Sequence, residues 1–425
     1  MLELSVDNFC SLVYTELTKM STQSDTKNKR IYLDHAATTP IDPRVLSAMQ
    51  KTEKSIFGNP SSIHKEGVAA KREVESARKQ VAENIGAQPD EVIFTSGGTE
   101  SNNLAIFGMI ASREGEAGRG WFPHIIVSSI EHTSILECAR ELEKRGAEVT
   151  YLPVGANGIV SVKSVSEAIK ENTVLVSVMY ANNEVGTIQP ITEIAKAIRL
   201  KTIRQPADLK LKTRPLFHTD ACQATNYLDM NVLRLGVDMM SFNASKIYGP
   251  KGVGALFVKR GIKLSPILFG GGQENGIRNG TENIAGIRGF AEAMNIAEKM
   301  KAKESARLMK LRDLFIKEVL HKIPGTVLNG DAEDRLPNNA NFSFPDLDGE
   351  EIVIQLDARG IAASTGSACA NISSDGKISH VLMAISGDKT FARGGVRFTL
   401  GRNTTKEDIT RTIKELSVII KNLRR

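Results

Sequence analysis

Only four cysteines occur among the 425 residues, Cys10, Cys138, Cys222 and Cys369, and none falls within the paired spacing of a zinc site or a disulfide scaffold. That scarcity excludes a cystine-stapled secreted module and fits a reducing compartment, so a cytoplasmic protein is expected. No run approaches the ~18 apolar residues of a membrane span. Residues 1–30 lack the basic and apolar regions of a signal peptide, and Glu3, Asp7 and Glu16 are out of place in a transit peptide. No membrane partner is therefore expected. Neither charge sign dominates: 55 basic residues face 49 acidic ones, for a net +6, which makes a mixed surface and does not directly call for nucleic acid. Internal repeats and low-complexity segments are also missing.

What is present is ordinary globular composition, 41% hydrophobic and 24% charged. The length predicts one large and one smaller domain. Residues 1–30 read as an N-terminal extension, 31–295 as the large domain and 296–425 as the small C-terminal domain. From about 65 to 260, helical patterns alternate with short β-branched runs, the mark of an α/β fold. Ala70, Val74, Ala77, Val81 and Ile85 make one apolar helix face. Strands are expected at EVIFT, HIIVS, EVTYL, VLVSVM, PLFHTD, VDMMSF and GALFVK, joined into a mostly parallel mixed sheet flanked by helices. Beyond 300, a charged helix, strands near TVLN, ANFSF and GVRFTL, and a terminal helix striped by Ile409, Ile413, Leu416 and Ile420 predict an α+β unit. The basic stretch 196–214 reads as a solvated helix end and loop.

Several strand ends carry reactive side chains. In FTSGGTESNN the glycine turn before Thr99 offers free N–H groups to a phosphate, although many structural helices also start this way. Asp220 ends the apolar strand of LFHTDACQ, where open α/β sheets keep ligands, and its carboxylate suits a protonated ring nitrogen. Lys246 follows the next strand. A lysine desolvated there can form a Schiff base, with Lys251 as competitor. His132 suits stacking on a flat cofactor or proton transfer, and equally a helix cap. Arg397 suits a substrate carboxylate or a structural ion pair. Cys369 sits among small residues in STGSACANISSDGKIS, open to reading as nucleophile, metal ligand or unreactive thiol. Phosphate cradle, ring carboxylate, histidine and lysine on one sheet edge are what a pyridoxal phosphate site needs.

From Ile31 onward the chain resembles the cysteine desulfurases, in the class V aminotransferase branch of pyridoxal phosphate enzymes. The resemblance rests on YLDHAATTP, GNPSSIHKEG, FTSGGTESNN, EHTSIL, ANNEVG, HTDACQ, SKIYGPKG, GGGQENGIRNGTEN, STGSACA and VRFTLGR, in the family's order. It implies a fold-type I transferase in which Lys246 forms the Schiff base with pyridoxal 5'-phosphate, Asp220 pairs with the ring nitrogen and His132 stacks on the ring. Gln223 and Asn183 would approach the phenolic oxygen side, with Asn183 also near the substrate. Gly98, Thr99, Asn243 and Ser245 would serve the phosphate, and Thr281 would be lent to the neighbouring subunit, which implies a homodimer. Arg397 would hold the carboxylate of L-cysteine, and Cys369 would accept its sulfur as a persulfide. Lys251 becomes structural.

The activity so implied converts L-cysteine to L-alanine and hands sulfur to acceptor proteins, such as an iron–sulfur scaffold or a thiolation system. Cys369 would meet metal only transiently, at a shared cluster. Arg397 follows Cys369 by 28 positions, as in the branch with a long catalytic loop. Asn243 and Ser245 stand where members usually have serine and histidine, Asn275 where arginine is frequent, and 205–214 resembles an insertion. A lyase acting on selenocysteine, another class V activity, or a non-catalytic binding subunit are the competing readings.

Overall fold

A computed structural model describes residues 30–117, 121–203, 214–366 and 378–425. The strands are β1 (Ile31–Tyr32), β2 (Val92–Thr95), β3 (His124–Ser128), β4 (Glu148–Leu152), β5 (Thr173–Ser177), β6 (Leu216–Asp220), β7 (Met239–Asn243), β8 (Gly254–Val258), β9 (Val327–Leu328), β10 (Asn339–Ser343), β11 (Ile361–Ala362) and β12 (Gly395–Thr399). The helices are α1 (Pro43–Ser55), α2 (Lys65–Ile85), α3 (Gly98–Asn103), α4 (Met109–Ala117), α5 (Thr133–Lys144), α6 (Val162–Ala168), α7 (Ile191–Ile203), α8 (Val232–Leu235), α9 (Ile284–Lys322), α10 (Gly349–Asp357), α11 (His380–Ser386), α12 (Lys389–Arg393) and α13 (Lys406–Leu423).

Seven strands form the main sheet in the order β2-β8-β7-β6-β5-β3-β4. All the runs expected as strands are there, and the pairs among β3 to β7 are parallel. β8 runs antiparallel to both β2 and β7, which makes the sheet mixed. Apart from the edge strand β4, these strands are buried along their whole length. Helices on both faces account for this.

Alternation sorts the side chains into two cores. Phe94, Ile126, Val176, Phe217, Phe242 and Phe257 face α2, α7 and α9. Ile93, Ile125, Val127, Leu175 and Leu256 face α5 and the π-helical turn Leu104–Gly108 that joins α3 to α4. Each buried residue of this size contributes roughly 1.5–3 kcal/mol over its exposed state, so a one-residue slip, which would swap the two sets, is strongly disfavoured. α2 starts at His64, whose side chain accepts from the Gly67 N–H, and its apolar face from Ala70 to Ile85 is buried as expected.

The C-terminal unit stacks the antiparallel sheet β12-β10-β9 on α10, α13 and the second half of α9. Phe315 meets Phe398 edge-on at 5.1 Å between centroids and Phe342 at 5.6 Å. Ile31 and Leu33 belong to this same core, because β1 pairs in parallel with β11. The expected division at 295/296 falls inside α9, which runs unbroken for 39 residues, about 58 Å at 1.5 Å per residue. Asn275 adopts φ +57, a conformation asparagine tolerates better than most residues.

Candidate active site

The carboxyl ends of the parallel strands converge on one edge, the position where open α/β sheets hold ligands. Asp220, at the end of β6, is 6% exposed. Its Oδ1 accepts the Cys222 N–H at 2.9 Å and its Oδ2 the Asn102 amide at 2.8 Å. Two donors and a buried setting hold the carboxylate in one rotamer.

Lys246 follows β7, and its Nζ donates to the carbonyl oxygens of Ala36 at 2.6 Å and Ala37 at 3.4 Å. Burial lowers its pKa; the Arg397 charge acts in the same sense, while Cys222 and Asp220 oppose it. The amine is thereby drawn toward the neutral form that attacks a carbonyl. Gln223 Nε2 donates to the same Ala36 oxygen at 3.0 Å. Lys251 lies exposed at the surface, away from this cluster of bonds.

His132 takes the helix-cap part expected of it and also stands near the candidate site. It caps α5, its Nδ1 accepting the Ser134 N–H at 3.1 Å, and it stands close enough to Asp220 and Lys246 for both charges to act on it. Burial lowers its pKa, against the pull of Asp220. Beside it a cavity of about 920 Å³ opens along α5, bordered by Thr99, Asn103 and His380.

Gly98 and Thr99 open α3 after Gly97, whose φ of +154 favours glycine. A side chain at Gly98 is excluded by crowding, since its Cβ would lie 2.7 Å from Cys222 Sγ and 3.3 Å from Asn243 Nδ2. Asn243, 8% exposed at the end of β7, has a buried Oδ1 with no partner. The carbonyl of Ser245 takes up the Thr39 N–H and hydroxyl, both at 2.9 Å. Thr281 is exposed just before α9, and no hydrogen bond among the described residues ties it to this cluster.

Arg397 is 2% exposed on β12. Its Nη2 pairs with Asp34 Oδ1 and its Nη1 with the Asn183 carbonyl, both at 2.8 Å, while Nε is buried without a partner. The ion-pair reading is thus realised, and the orphan N–H leaves capacity for another acceptor. Its backbone pairs with Ser364. Cys369 lies outside the described residues, as does 205–213 of the supposed insertion. Among the described residues no group of side chains could hold a metal ion.

Other participants were not singled out in the sequence. Glu131 and Glu184 are fully buried beside the site. Glu131 accepts from Ser128 Oγ and the Met179 N–H, and burial pushes its pKa up to about 8. Glu184 Oε2 accepts from Ser379 Oγ at 2.5 Å, and a Cβ on Gly366 would stand 2.7 Å from that same oxygen. His380 Nε2 donates to the Glu131 carbonyl at 3.0 Å. Asn102 and Asp34 lie within quoted motifs, FTSGGTESNN and YLDHAATTP.

The cradle suits pyridoxal 5'-phosphate. The unpartnered Asn243 Oδ1 and Arg397 Nε await partners, Gly98 lets the start of α3 pack closely on Cys222 and Asn243, and a buried carboxylate and an amine share one strand edge. The family model for Aminotransferase class-V matches residues 31–412. A cysteine desulfurase IscS of Dictyoglomus turgidum is 48% identical over 396 residues, covering 93% of this chain and 96% of that protein. A cysteine desulfurase IscS 1 of Archaeoglobus fulgidus is 44% identical, covering 92% and 97%. The solved structure of a NifS-like protein superposes with a TM-score of 0.83 at 34% identity, covering 93% of this chain and 100% of that one.

Proposed function

The chain belongs to the class V aminotransferase family, and from that premise we propose how its residues share the work of a cysteine desulfurase. The protein is a pyridoxal phosphate-dependent enzyme that converts L-cysteine to L-alanine and transfers the sulfur. When bound, the cofactor supplies an electron sink for charge released at the substrate Cα. Lys246, Asp220, His132, Gln223, Asn183, Asn243, Ser245, Gly98 and Thr99 would hold it. The observation that carries this assignment is the convergence of the buried Asp220 carboxylate and the Lys246 amine on one strand edge, with Arg397 acting on the same amine.

Asp220, its carboxylate oriented by Asn102 and the Cys222 N–H, would pair with the ring nitrogen of the bound cofactor. Lys246, drawn toward neutrality by burial, takes the Cα proton and returns it. Arg397 holds the substrate carboxylate. Cys369 attacks the substrate sulfur as thiolate: a new S–S bond forms, the Cβ–S bond breaks, and its electron pair stays with the carbon fragment, which gains protons to become alanine. His132 carries a proton for that step at Nε2. The products are L-alanine and a Cys369 persulfide, from which an acceptor such as an iron–sulfur scaffold takes the sulfur.

A homodimer completes the site, with Thr281 serving the neighbouring phosphate. The exposed apolar side chains Phe57, Ile63 and Phe269 support such an interface. The division of the chain into a large cofactor-binding domain and a small C-terminal one follows the two cores, with Ile31 and Leu33 on the side of the small one. No described helix is long and apolar enough to cross a membrane, and a cytoplasmic location is proposed on the cysteine usage.

The test is an assay of alanine and sulfide from L-cysteine, together with the visible band of the bound cofactor. Lys246→Ala is expected to lose the band and roughly a thousandfold or more in rate. Cys369→Ala is expected to keep the band and lose persulfide; an unchanged rate in that variant overturns the sulfur-transfer assignment.

A further inference from the structure

Asn102 is 1% exposed on α3, and its amide nitrogen lies 2.8 Å from Asp220 Oδ2 and 2.8 Å from Ser134 Oγ. A carboxylate only accepts, so the atom facing Asp220 is the nitrogen and the orientation of the amide is settled. Both protons of that nitrogen are then spent, one on each partner. Ser134 Oγ, occupied as an acceptor, has its own proton free for His132 Nδ1, which stands 2.8 Å away. The Ser134 N–H reaches the same nitrogen at 3.1 Å. With two donors aimed at it, Nδ1 holds no proton, and the neutral imidazole carries its hydrogen on Nε2.

We propose that Asn102 is a positioning residue: through one amide nitrogen it locks the rotamer of the Asp220 carboxylate and orients the Ser134 hydroxyl onto His132 Nδ1, which fixes the tilt of the imidazole. The inference rests on the roles assigned to Asp220 and His132 above and deepens them. One side chain on α3 thus couples the group facing the ring nitrogen to the group that moves protons over the ring. The amide gives up something for this, since its Oδ1 is buried without a partner. A residue selected only for packing would not leave a buried acceptor empty while spending both donors on the two functional groups. The tie agrees with the lowered pKa of His132, on which burial acts first, then the charges of Asp220, Lys246, His380 and Glu184.

The test uses protein labelled with 15N at histidine, with the His132 signals assigned by a His132→Gln variant. In the apoprotein, wild type is expected to show Nε2–H with Nδ1 unprotonated. Asn102→Ala is expected to shift the His132 nitrogen signals, because the Ser134 hydroxyl is freed to turn away from Nδ1, and to weaken cofactor binding about tenfold. Ser134→Ala, which removes only the outer hydroxyl, is expected to alter the imidazole signals while leaving cofactor affinity at the wild-type value. Unchanged His132 nitrogen shifts in Asn102→Ala overturn the proposal. If that variant does not fold, Ser134→Ala decides: altered imidazole signals with unchanged affinity support the tie, and unaltered signals overturn it. Because the imidazole is read without cofactor, a wild type that forms no visible band refutes the functional reading and leaves this result standing by itself.

Discussion

Arg397 Nη2 and Asp34 Oδ1 stand 2.8 Å apart, a pairing that joins β12 to the turn after β1 across 363 positions of sequence. A substrate carboxylate reaching this guanidinium must share it with Asp34. Arg397→Lys, which keeps the charge and loses the planar fork, is expected to raise KM for L-cysteine about tenfold or more with the cofactor band intact. Asp34→Asn removes the competing charge and is expected to lower KM while costing about 1.5 kcal/mol of stability. Steady-state kinetics and urea unfolding of both variants check the pair; a KM that does not move in Arg397→Lys speaks against the carboxylate role.

The crowding at Gly98 predicts a compensating pair. Gly98→Ala drives a methyl toward Cys222 Sγ, and overpacking of this kind costs roughly 1–3 kcal/mol. Cofactor binding is expected to weaken with it. Cys222→Ala alone is expected to be mild, since burial keeps that thiol protonated, and the double variant is expected to recover most of the loss. A double-mutant cycle with no coupling would show that the two atoms do not compete for the space.

Glu131 makes stability depend on pH. Its folded pKa is raised to about 8 from an ordinary 4.5, by burial first and by the Asp220 charge. The folded state therefore holds a proton that the unfolded chain gives up. The stabilisation is complete below about pH 4.5, declines through the interval up to about 8, and is lost above it. Glu131→Gln, neutral at every pH, is expected to flatten this decline. Urea midpoints of wild type and variant between pH 5 and 9 should diverge most on the alkaline side; parallel curves would mean that Glu131 is ionised in the fold.

Glu184 touches both flanks of the segment that contains Cys369: Ser379 donates to it, and Gly366, at φ +146, leaves no room for a Cβ beside it. Gly366→Ala is expected to slow persulfide formation about tenfold or more, because a methyl there is both strained and in collision. The cofactor band should remain. Trapping the persulfide with an alkylating probe measures this directly, and a wild-type rate would remove Glu184 from any part in placing the segment.

Much of the sheet could be read in advance because its strands are short apolar runs bounded by turns, and Asp220, Lys246 and His132 stand immediately after such runs. The direction of β8 was not legible, since composition is the same for a strand run either way. β1, two residues long, gave no periodicity to read, and only its pairing with β11 shows that Ile31 and Leu33 serve the C-terminal core. Asn102, Ser134 and Glu184 escaped for another reason: their importance lies in partners 32 to 195 positions away. Distances of that kind are set by packing, not by local pattern.

α9 threads both cores. Its first turns, with Ile287, Phe290 and Met294, are buried against the large sheet, and Leu308, Phe315 and Val319 are buried in the C-terminal unit. A helix gains most of its stability from the face it buries, so melting either core strips packing from a rod the other core also depends on. Loss of packing in one unit therefore removes support from a helix on which the other unit also depends. The connection between the two units is thus a continuous helix that is itself part of both cores.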